Sequence, residues 1–462
     1  MEQIPGVMEP GEAHDVDKLY WNPEAETMPL DQLRDLQIKK LKRQLPYLQE
    51  NSEFYQAKFK EAGFDYRDFH DLSDLDGIPF TQKSELRQSQ EEVPPFGRHV
   101  AAPLNRIIRV TTTAGTTGRA VVQTYTRRDV MLRDESICRF LWGFGVRPGD
   151  RVINGCNLSM FNAGIPFCTG IERMGAVNIP VGTERKAEGL LRIAHDLSAT
   201  VLLSTPSFAS YLSERCEDVL GIPPSELGFR IVCGGGEPGF ELPGKREQLE
   251  QAYGTKGVFD LASSSDAHPN SFANCHVRSG KHHITGDLVM VQLIDPVTGK
   301  TIEIADGVEG EYIFTHLDRG ASPLLRYRSN DIVRVHTSPC ECGRSGFRIE
   351  LIGRSDDMLL VRGMNVFPSA VQSVVASFVP KTTGKVRIVL DRPGPAVEPP
   401  LNLEVECARG FEQSNWPTLK QHLDQTLREK LSVRTNVTLL AYGGIEQTAT
   451  KSKIVVVKEN GQ

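Results

Sequence analysis

The chain has 462 residues, of which 39% are hydrophobic and 24% are charged, so it can bury large cores and is not intrinsically disordered. A net charge of −6 argues against binding along a nucleic-acid backbone. The acidic start is no secretory signal and no run approaches eighteen apolar residues, so we expect a cytoplasmic protein outside the membrane, with small molecules as its partners.

The predicted elements begin with a helical segment over residues 30–62. Its apolar side chains recur at helical intervals, at Leu33, Leu36, Ile38, Leu41 and Leu45. Pro46 is expected to break this helix. From about residue 150, short apolar runs such as DRVING and ATVLLST alternate with helical patterns such as SFASYLSERCEDVL. This alternation predicts α/β layers with buried strands.

The pattern changes after about residue 350. A turn at 353–357 precedes the short strand MLLVRG, and helices and strands then follow in α+β order. The proline-rich stretch at 392–400 is predicted to be a loop. The last hundred or so residues are therefore predicted to form a separate small domain.

A loop rich in glycine and threonine, VTTTAGTTGRAVVQTYT at 110–126, stands between two β-type runs. Glycines let a backbone approach phosphate oxygens, while hydroxyl and guanidinium groups donate to them. These roles fall to Thr113, Gly115, Thr116, Thr117, Gly118 and Arg119. The Gly-Lys-Ser/Thr ending of a Walker loop is absent. A polar hairpin without a ligand is the alternative.

The segment TAGTTGR, followed by Tyr125, Thr126 and Asp129, resembles the phosphate loop of the adenylate-forming ligases, and within them the phenylacetate-CoA ligase type. The phrases YWNPEAETMPLDQLRDLQ, LDGIPFTQKSELR, GAVNIPV and TPSFASYLSE extend the resemblance over nearly the whole chain. It implies a large α/β N-terminal domain at 1–354 that binds ATP and acid, joined by a hinge to a small, mobile α+β C-terminal domain at 355–462.

The resemblance also implies nucleotide-binding residues. The backbone of the turn formed by Gly235, Gly236, Glu237 and Pro238 would hold the adenine, at the end of a strand, where open α/β sheets bind ligands. Asp331 would accept hydrogen bonds from both ribose hydroxyls, since a carboxylate offers only acceptors. A tight turn without a ligand is the alternative for the glycine segment.

The phrase GRSDDMLLVRGMNVFPS at 353–369 is the most specific match. By resemblance, Arg354 reaches the ribose or phosphate and acts in catalysis, Asp356 is the pivot of the small domain, and Arg362 with Gly363 lies along the CoA channel. A rigid linking turn is the alternative.

Adenylation also needs a cation, because an anionic carboxylate approaches an anionic phosphate. Lys451 takes the place of the family's terminal lysine in GGIEQTATKSKIVVVK, but Thr450 stands where the family has glycine. Lys453 therefore remains an alternative.

Two segments depart from the family pattern. In FDLASSSDAHPNSFANC, at 259–275, Ser265 occupies the position of a glutamate that helps to hold magnesium, and Asp266 is one residue away. The segment at 154–176 is shorter than its counterpart. The acyl pocket is expected to include Phe161, Ala163, Ala262 and Ser263, although core packing is an equal alternative for the first two.

The nine cysteines of this long chain favour thiols or metal ligands over disulfides. In some relatives a Cys…His pair and a Cys-x-Cys pair build a Cys₃His site. The resemblance places Cys275, His282, Cys340 and Cys342 in those positions, predicting a closed structural zinc site. Buried free thiols and a surface histidine cluster are the alternative.

The resemblance implies a two-step ligase that uses ATP, Mg²⁺ and coenzyme A. A carboxylic acid would become an acyl-adenylate and then a thioester. Two alternatives remain open, namely transfer of the acyl group to a carrier-protein thiol or an amine, and a non-catalytic nucleotide-binding relative. The sequence does not name the acid, and a homodimer also remains open.

Overall fold

The computed structural model describes residues 15–113, 120–242, 244–264, 266–269, 271–362, 364–445 and 454–458. These residues form two compact units. The first comprises the chain up to Glu184 together with Leu261–Glu350, and the second comprises Arg185–Asp260 together with the chain from Leu351 onward. The domain limit between 354 and 355 stays a prediction.

The long helix near the start of the first unit corrects the expected break at Pro46. The helix runs without interruption over Leu30–Asn51 and contains Pro46. Proline removes only one backbone hydrogen bond, and burial of Leu41, Leu45 and Leu48, all 0% exposed, holds the helix against the core. The chain bends instead at Ser52, whose hydroxyl caps the next helix. The other α-helices of this unit are Pro23–Glu26, Glu53–Ala62, Lys83–Glu92, Arg127–Gly143 and Ile165–Arg173.

The strands of the first unit form three groups. Ile107–Thr112 and Val122–Thr126 make an antiparallel hairpin, and Arg151–Asn154 pairs in parallel with Val177–Pro180. The third group has the strand order Thr301–Ile302, Val289–Ile294, Glu309–His316, Tyr327–His336, Arg348–Arg354, Lys281–His283, Phe272–Ala273 and Val258–Ala262. Residues 351–354 and 258–260 of two of these strands are assigned to the second unit. Each pairing described within the third group is antiparallel.

The second unit begins with an α/β segment. Its parallel strands Val201–Ser204 and Ile231–Gly235 alternate with the helices Lys186–Asp196, Pro206–Leu220 and Lys245–Tyr253. The strands are buried, and Val201, Leu202 and Leu203 are each 0% exposed. The alternation predicted from the sequence is confirmed here.

The remainder of the second unit follows the predicted α+β order. The strands Thr435–Leu440, Leu401–Cys407, Thr382–Leu390 and Val455–Val457 form one sheet, in that order. The helices Pro368–Ala376 and Trp416–Leu431 contribute Val371 and Leu423 to its core, each 0% exposed. A smaller sheet joins Met364–Val366, Leu359–Val361 and Ala396–Val397.

That smaller sheet corrects the loop predicted at 392–400. Ala396 and Val397 pair in parallel with Leu360 and Val361, so this part of the proline-rich stretch is a short strand. Among the described residues, no helix combines the length and the apolar composition needed to cross a lipid bilayer.

Candidate functional site

The predicted phosphate loop joins the two strands of a hairpin. The Thr113 amide donates to the Val121 carbonyl at 3.0 Å, and the Val121 amide donates to the Thr113 hydroxyl at 3.2 Å. These bonds fix both ends of the loop. The residues between them to which phosphate-binding roles were assigned, Gly115, Thr116, Thr117, Gly118 and Arg119, lie outside the described residues.

The residues after the loop fasten the hairpin to its surroundings. The Tyr125 hydroxyl donates to Oδ1 of Asn162 at 3.0 Å. Thr126 and Asp129 form a capping box at the start of the helix Arg127–Gly143, and Asp129 also accepts the Gly320 amide at 2.6 Å. Asp129 therefore positions the start of this helix, which explains why an acidic residue follows the loop at this spacing.

The predicted acyl-pocket residues lie in two segments of the first unit. Phe161 is 39% exposed and Ala163 is half-buried, on either side of the buried Asn162. Ala262 pairs with Phe272 across two strands, and Ser263 follows it half-buried. Phe161 is thus not a core residue, which removes core packing as the explanation for its side chain.

The segment that departs from the family pattern holds a buried carboxylate. Asp266 is 5% exposed, and its two oxygens accept from Lys83 at 3.1 Å and Gln123 at 3.4 Å. Ser265 lies outside the described residues. Lys83 received no role from the sequence reasoning, although it stands in the matching phrase LDGIPFTQKSELR and begins a helix.

Asp331 lies in the strand Tyr327–His336. Its side chain is half-buried, and its amide donates to the Ser329 hydroxyl at 3.0 Å. The preceding residue, Asn330, has a φ of 61°, in the left-handed region. The backbone therefore turns locally where the ribose-binding carboxylate is predicted.

In the second unit, the Gly235–Pro238 turn follows the end of a parallel strand. Gly234 has a φ of 145°, and a Cβ on it would meet the Ser204 carbonyl oxygen at 1.8 Å, so no other residue fits here. The Glu237 carboxylate accepts the Ser207 amide at 2.8 Å, in the first turn of the helix Pro206–Leu220. Glu237 thereby satisfies one of the unpaired donors at a helix start.

The predicted catalytic arginine pairs with the predicted hinge aspartate. Nε and Nη2 of Arg354 donate to the two oxygens of Asp356 at 2.8 and 2.9 Å, in a partly exposed bidentate pair. Arg362 is exposed and has a φ of 48°, at the turn between two short strands. Gly363, Lys451 and Lys453 lie outside the described residues.

The predicted zinc ligands converge in the first unit. The ligand atoms of Cys275, His282, Cys340 and Cys342 all lie within 4.8 Å of one another. The Cys275 and Cys340 sulfurs are 3.8 Å apart, and the Cys342 sulfur is 3.4 Å from Nε2 of His282. In a tetrahedral zinc site the corresponding separations are about 3.8 Å and about 3.6 Å. The residues therefore fit the ion.

Two local structures bring these ligands together. His282 pairs with Ala273 across a short antiparallel ladder, which places it beside Cys275. The Cys-x-Cys turn closes through a bond from the Gly343 amide to the Cys340 carbonyl at 3.0 Å. Gly343 has a φ of 77°, and its Cβ would lie 2.5 Å from the Tyr20 hydroxyl, so glycine is required.

The thiols of this cluster influence each other. A hydrogen bond with the Cys342 thiol lowers the pKa of Cys275 to about 7, against the opposing effect of burial. The same bond raises the pKa of Cys342. Among the described residues, Nδ1 of His282 has no hydrogen-bond partner. A thiol inclined to ionise in a buried place suits cation binding.

The chain resembles known proteins over nearly its full length. It is 34% identical to the phenylacetate-coenzyme A ligase of Thermus thermophilus, over 84% of each chain. It is 30% identical to the Pseudomonas putida protein of the same name, over 95% of this chain and 97% of that one. The chain belongs to the phenylacetate-coenzyme A ligase family. The AMP-binding enzyme C-terminal domain family also matches residues 363–458.

Solved structures agree with this family. The chain is similar to 2-hydroxyisobutyryl-CoA ligase in the postadenylation state, in complex with R3-HIB-AMP, with a TM-score of 0.90 and 28% identity over 99% of this chain and 96% of that one. Against that enzyme with 2-HIB-AMP and CoA in the thioesterification state, the TM-score is 0.73, at 28% identity over 99% of this chain and 96% of that one.

These similarities confirm the fold class, a large α/β part and a small C-terminal domain. They also confirm the activity predicted from the sequence. The protein is an AMP-forming acid–CoA ligase, and its substrates are ATP, a carboxylic acid and coenzyme A.

Proposed function

We propose that this ligase forms an acyl-adenylate and passes the acyl group to coenzyme A, with roles for its residues as follows. The loop that begins at Thr113 binds the ATP phosphates, the Gly235–Pro238 turn binds adenine, and Asp331 binds the ribose. Lys451 neutralises charge during adenylation. The similarity to a ligase in complex with an acyl-adenylate, at a TM-score of 0.90 over 99% of the chain, carries this proposal.

In the first step a carboxylate oxygen of the acid attacks the α-phosphorus of Mg-ATP, and the bond to the β-phosphate breaks as pyrophosphate leaves. In the second step the CoA thiol loses its proton, the sulfur attacks the acyl carbon, and AMP leaves. We assign Arg354 to the nucleotide, Asp356 to the pivot between the two steps, and Arg362 with Gly363 to the route of the thiol.

Asp266 does not serve as a magnesium ligand in this proposal. Its two oxygens already accept from Lys83 and Gln123, and a metal ion would have to displace the Lys83 ammonium group at 3.1 Å. Magnesium therefore enters with ATP, and no step passes through Asp266. The segment at 261–266 lacks the family's glutamate, and its buried carboxylate, Asp266, is instead paired with Lys83 and Gln123.

We also propose that Cys275, His282, Cys340 and Cys342 bind a structural Zn²⁺. Four protein ligands close the tetrahedron and leave no position for substrate. The ion would hold the Cys-x-Cys turn against the ladder that carries His282.

The test of the ligase proposal separates the two steps. Purified protein should exchange labelled pyrophosphate into ATP only when an accepted acid is present, and CoA should then release AMP without any added carrier protein. Phenylacetate and 2-hydroxyisobutyrate, which name relatives of this chain, begin the acid panel. AMP release that requires a carrier protein or an amine would refute CoA as the acceptor. Absence of exchange across the panel would refute adenylation.

A further inference from the structure

A buried arginine packs over a tyrosine ring whose hydroxyl is bonded to the segment that carries part of the predicted acyl pocket. Arg133, in the helix Arg127–Gly143, is 0% exposed. Among the described residues, none of its three guanidinium nitrogens has a hydrogen-bond partner within bonding distance and angle, and the groups that stabilise its charge are the Tyr125 hydroxyl and the Asp134 carboxylate. Buried guanidinium groups are normally paired, because an unpaired buried charge is strongly unfavourable. Arg133 therefore lacks a partner that its environment calls for.

Another arginine on the same helix shows the usual solution. Arg139 is also 0% exposed, but it donates to Glu135 at 3.1 Å and to the two oxygens of Asp287 at 2.6 and 3.0 Å. The acidic neighbour of Arg133, Asp134, accepts from the Thr169 hydroxyl at 2.7 Å, and its charge attracts Arg133 without a hydrogen bond to the guanidinium group. The fold thus neutralises one buried arginine of this helix through two carboxylates and leaves the other without such a bond.

The surroundings of Arg133 add positive charge. Its Cζ lies 4.6 Å from the centre of the Tyr125 ring, and Cζ of Arg319 lies 4.8 Å from the same centre. Arg319 donates to the His268 carbonyl at 3.1 Å and to Gln123 at 3.0 Å. Stacking on an aromatic ring offsets only part of the cost of burying two cations. The cluster favours an anion.

One hydrogen bond links the cluster to the segment of the predicted acyl pocket. The ring that carries Arg133 bonds through its hydroxyl to Asn162, which lies between Phe161 and Ala163. His268, from the segment that departs from the family pattern, is buried, and its Nδ1 has no partner among the described residues. Burial, and then the charges of Arg133 and Arg319, lower the pKa of His268 to about 3. A neutral imidazole adds no competing cation.

We infer that Arg133 binds a second anionic group of the acid substrate, so that the enzyme activates a dicarboxylic acid at the carboxyl group remote from Arg133. A guanidinium group pairs bidentately with a carboxylate, and bound substrate would supply the partner that the protein lacks. This inference rests on the proposed adenylation of a carboxylic acid. It distinguishes the substrate from phenylacetate, which carries one carboxylate only.

The test compares each diacid with its half-ester, which has nearly the same shape but lacks the second charge. Suitable pairs are 4-carboxyphenylacetate with its 4-methyl ester, and glutarate and adipate with their monomethyl esters, each assayed by acid-dependent pyrophosphate release. For at least one pair, kcat/KM of the diacid should exceed that of the half-ester by roughly 100-fold or more, because the ester leaves Arg133 unpaired. Half-esters that equal their diacids throughout the panel would overturn the inference.

Substitution gives the second arm. Arg133→Met keeps the length of the side chain and removes its charge, and it should reduce the preference for diacid over half-ester to within about threefold. Arg127→Met, at the exposed start of the same helix, is the matched control and should keep the preference. A preference that survives Arg133→Met would show that Arg133 only supports Tyr125, and would overturn the inference. If Arg133→Met does not fold, the wild-type comparison still decides.

The two levels of the proposal fail differently. Turnover of monoacids with no diacid preference would refute the second anionic group and leave adenylation intact. Absence of pyrophosphate release with every mono- and diacid would refute adenylation, and this inference with it.

Discussion

Replacement of Cys342 by serine should remove the zinc ion and destabilise the first unit. The ion would connect Cys275 to Cys342 across a loop of about 70 residues, and it would stabilise the folded chain by about 4 kcal/mol when free zinc is about 1,000 times its dissociation constant, because the unfolded chain has no preformed site. Since 1 kcal/mol shifts the melting temperature of a large domain by about 2–4 °C, the midpoint should fall by about 10 °C. Zinc content should fall from about one ion per chain to near zero.

Two measurements check this result. Elemental analysis of dialysed protein gives the zinc content, and circular dichroism gives the melting temperature with and without a chelator. Cys216→Ser is the matched control, because Cys216 is 0% exposed and lies outside the cluster, so that variant should keep its zinc. The four-ligand site is closed to substrate, so the ion should have no direct part in catalysis. At low temperature, where Cys342→Ser is folded, its acid-dependent pyrophosphate release should stay within about twofold of wild type. Wild-type protein that contains no zinc and melts unchanged in chelator would refute the reasoning.

Three further predictions concern the nucleotide turn, the terminal lysines and acid stability. Glu237→Ala should lower the free energy of unfolding by about 1 kcal/mol, measured by urea titration, because the Ser207 amide loses its acceptor; an unchanged midpoint would contradict this. Lys451→Ala should abolish adenylation yet spare thioester formation from supplied acyl-adenylate, whereas the same pattern in Lys453→Ala alone would reassign the lysine. Burial lowers the pKa of His99 to about 4, below the usual 6.5, so the unfolded chain binds the proton first as pH falls from about 6.5 to 4. Urea titrations at pH 7 and pH 5 measure how much the free energy of unfolding falls between these two values. This fall should be about 2 kcal/mol smaller for His99→Gln than for wild type, and equal falls would contradict the prediction.

Much of the fold could be predicted from local pattern. Apolar runs such as VLLS at 201–204 became buried strands because their side chains exclude water on both faces, and the Thr126–Asp129 spacing became a capping box. Pro46 shows the limit of local rules, since packing of three leucines outweighed one missing hydrogen bond. The short strand at Ala396 and Val397 depends on a distant partner, which no local signal reveals.

The candidate site divides in the same way. The resemblance of several sequence motifs to those of a known family was sufficient to predict the family and the AMP-forming activity, because glycine backbone, threonine hydroxyl and aspartate carboxylate groups recur there in the same order. The sequence does not show which of these residues lie close together in space. The ligand atoms of Cys275, His282, Cys340 and Cys342 lie within 4.8 Å of one another because strand pairing joins segments more than sixty positions apart.

Only the tertiary structure decided the environment of Arg133. On a helix an arginine among charged residues normally indicates a solvated face, and the sequence of Arg127–Gly143 gives no other signal. In the structure this helix is buried on nearly every side, so its charges must find partners inside the protein. Arg139 bonds to two carboxylates, whereas Arg133 bonds to none within the part of the chain that the structure describes, because pairing depends on where the carboxylates of distant segments lie. Resemblance carried by the sequence was sufficient to predict the chemistry of the ligase, whereas packing determined that Arg139 has carboxylate partners and that Arg133 has no hydrogen bond to a carboxylate among the described residues.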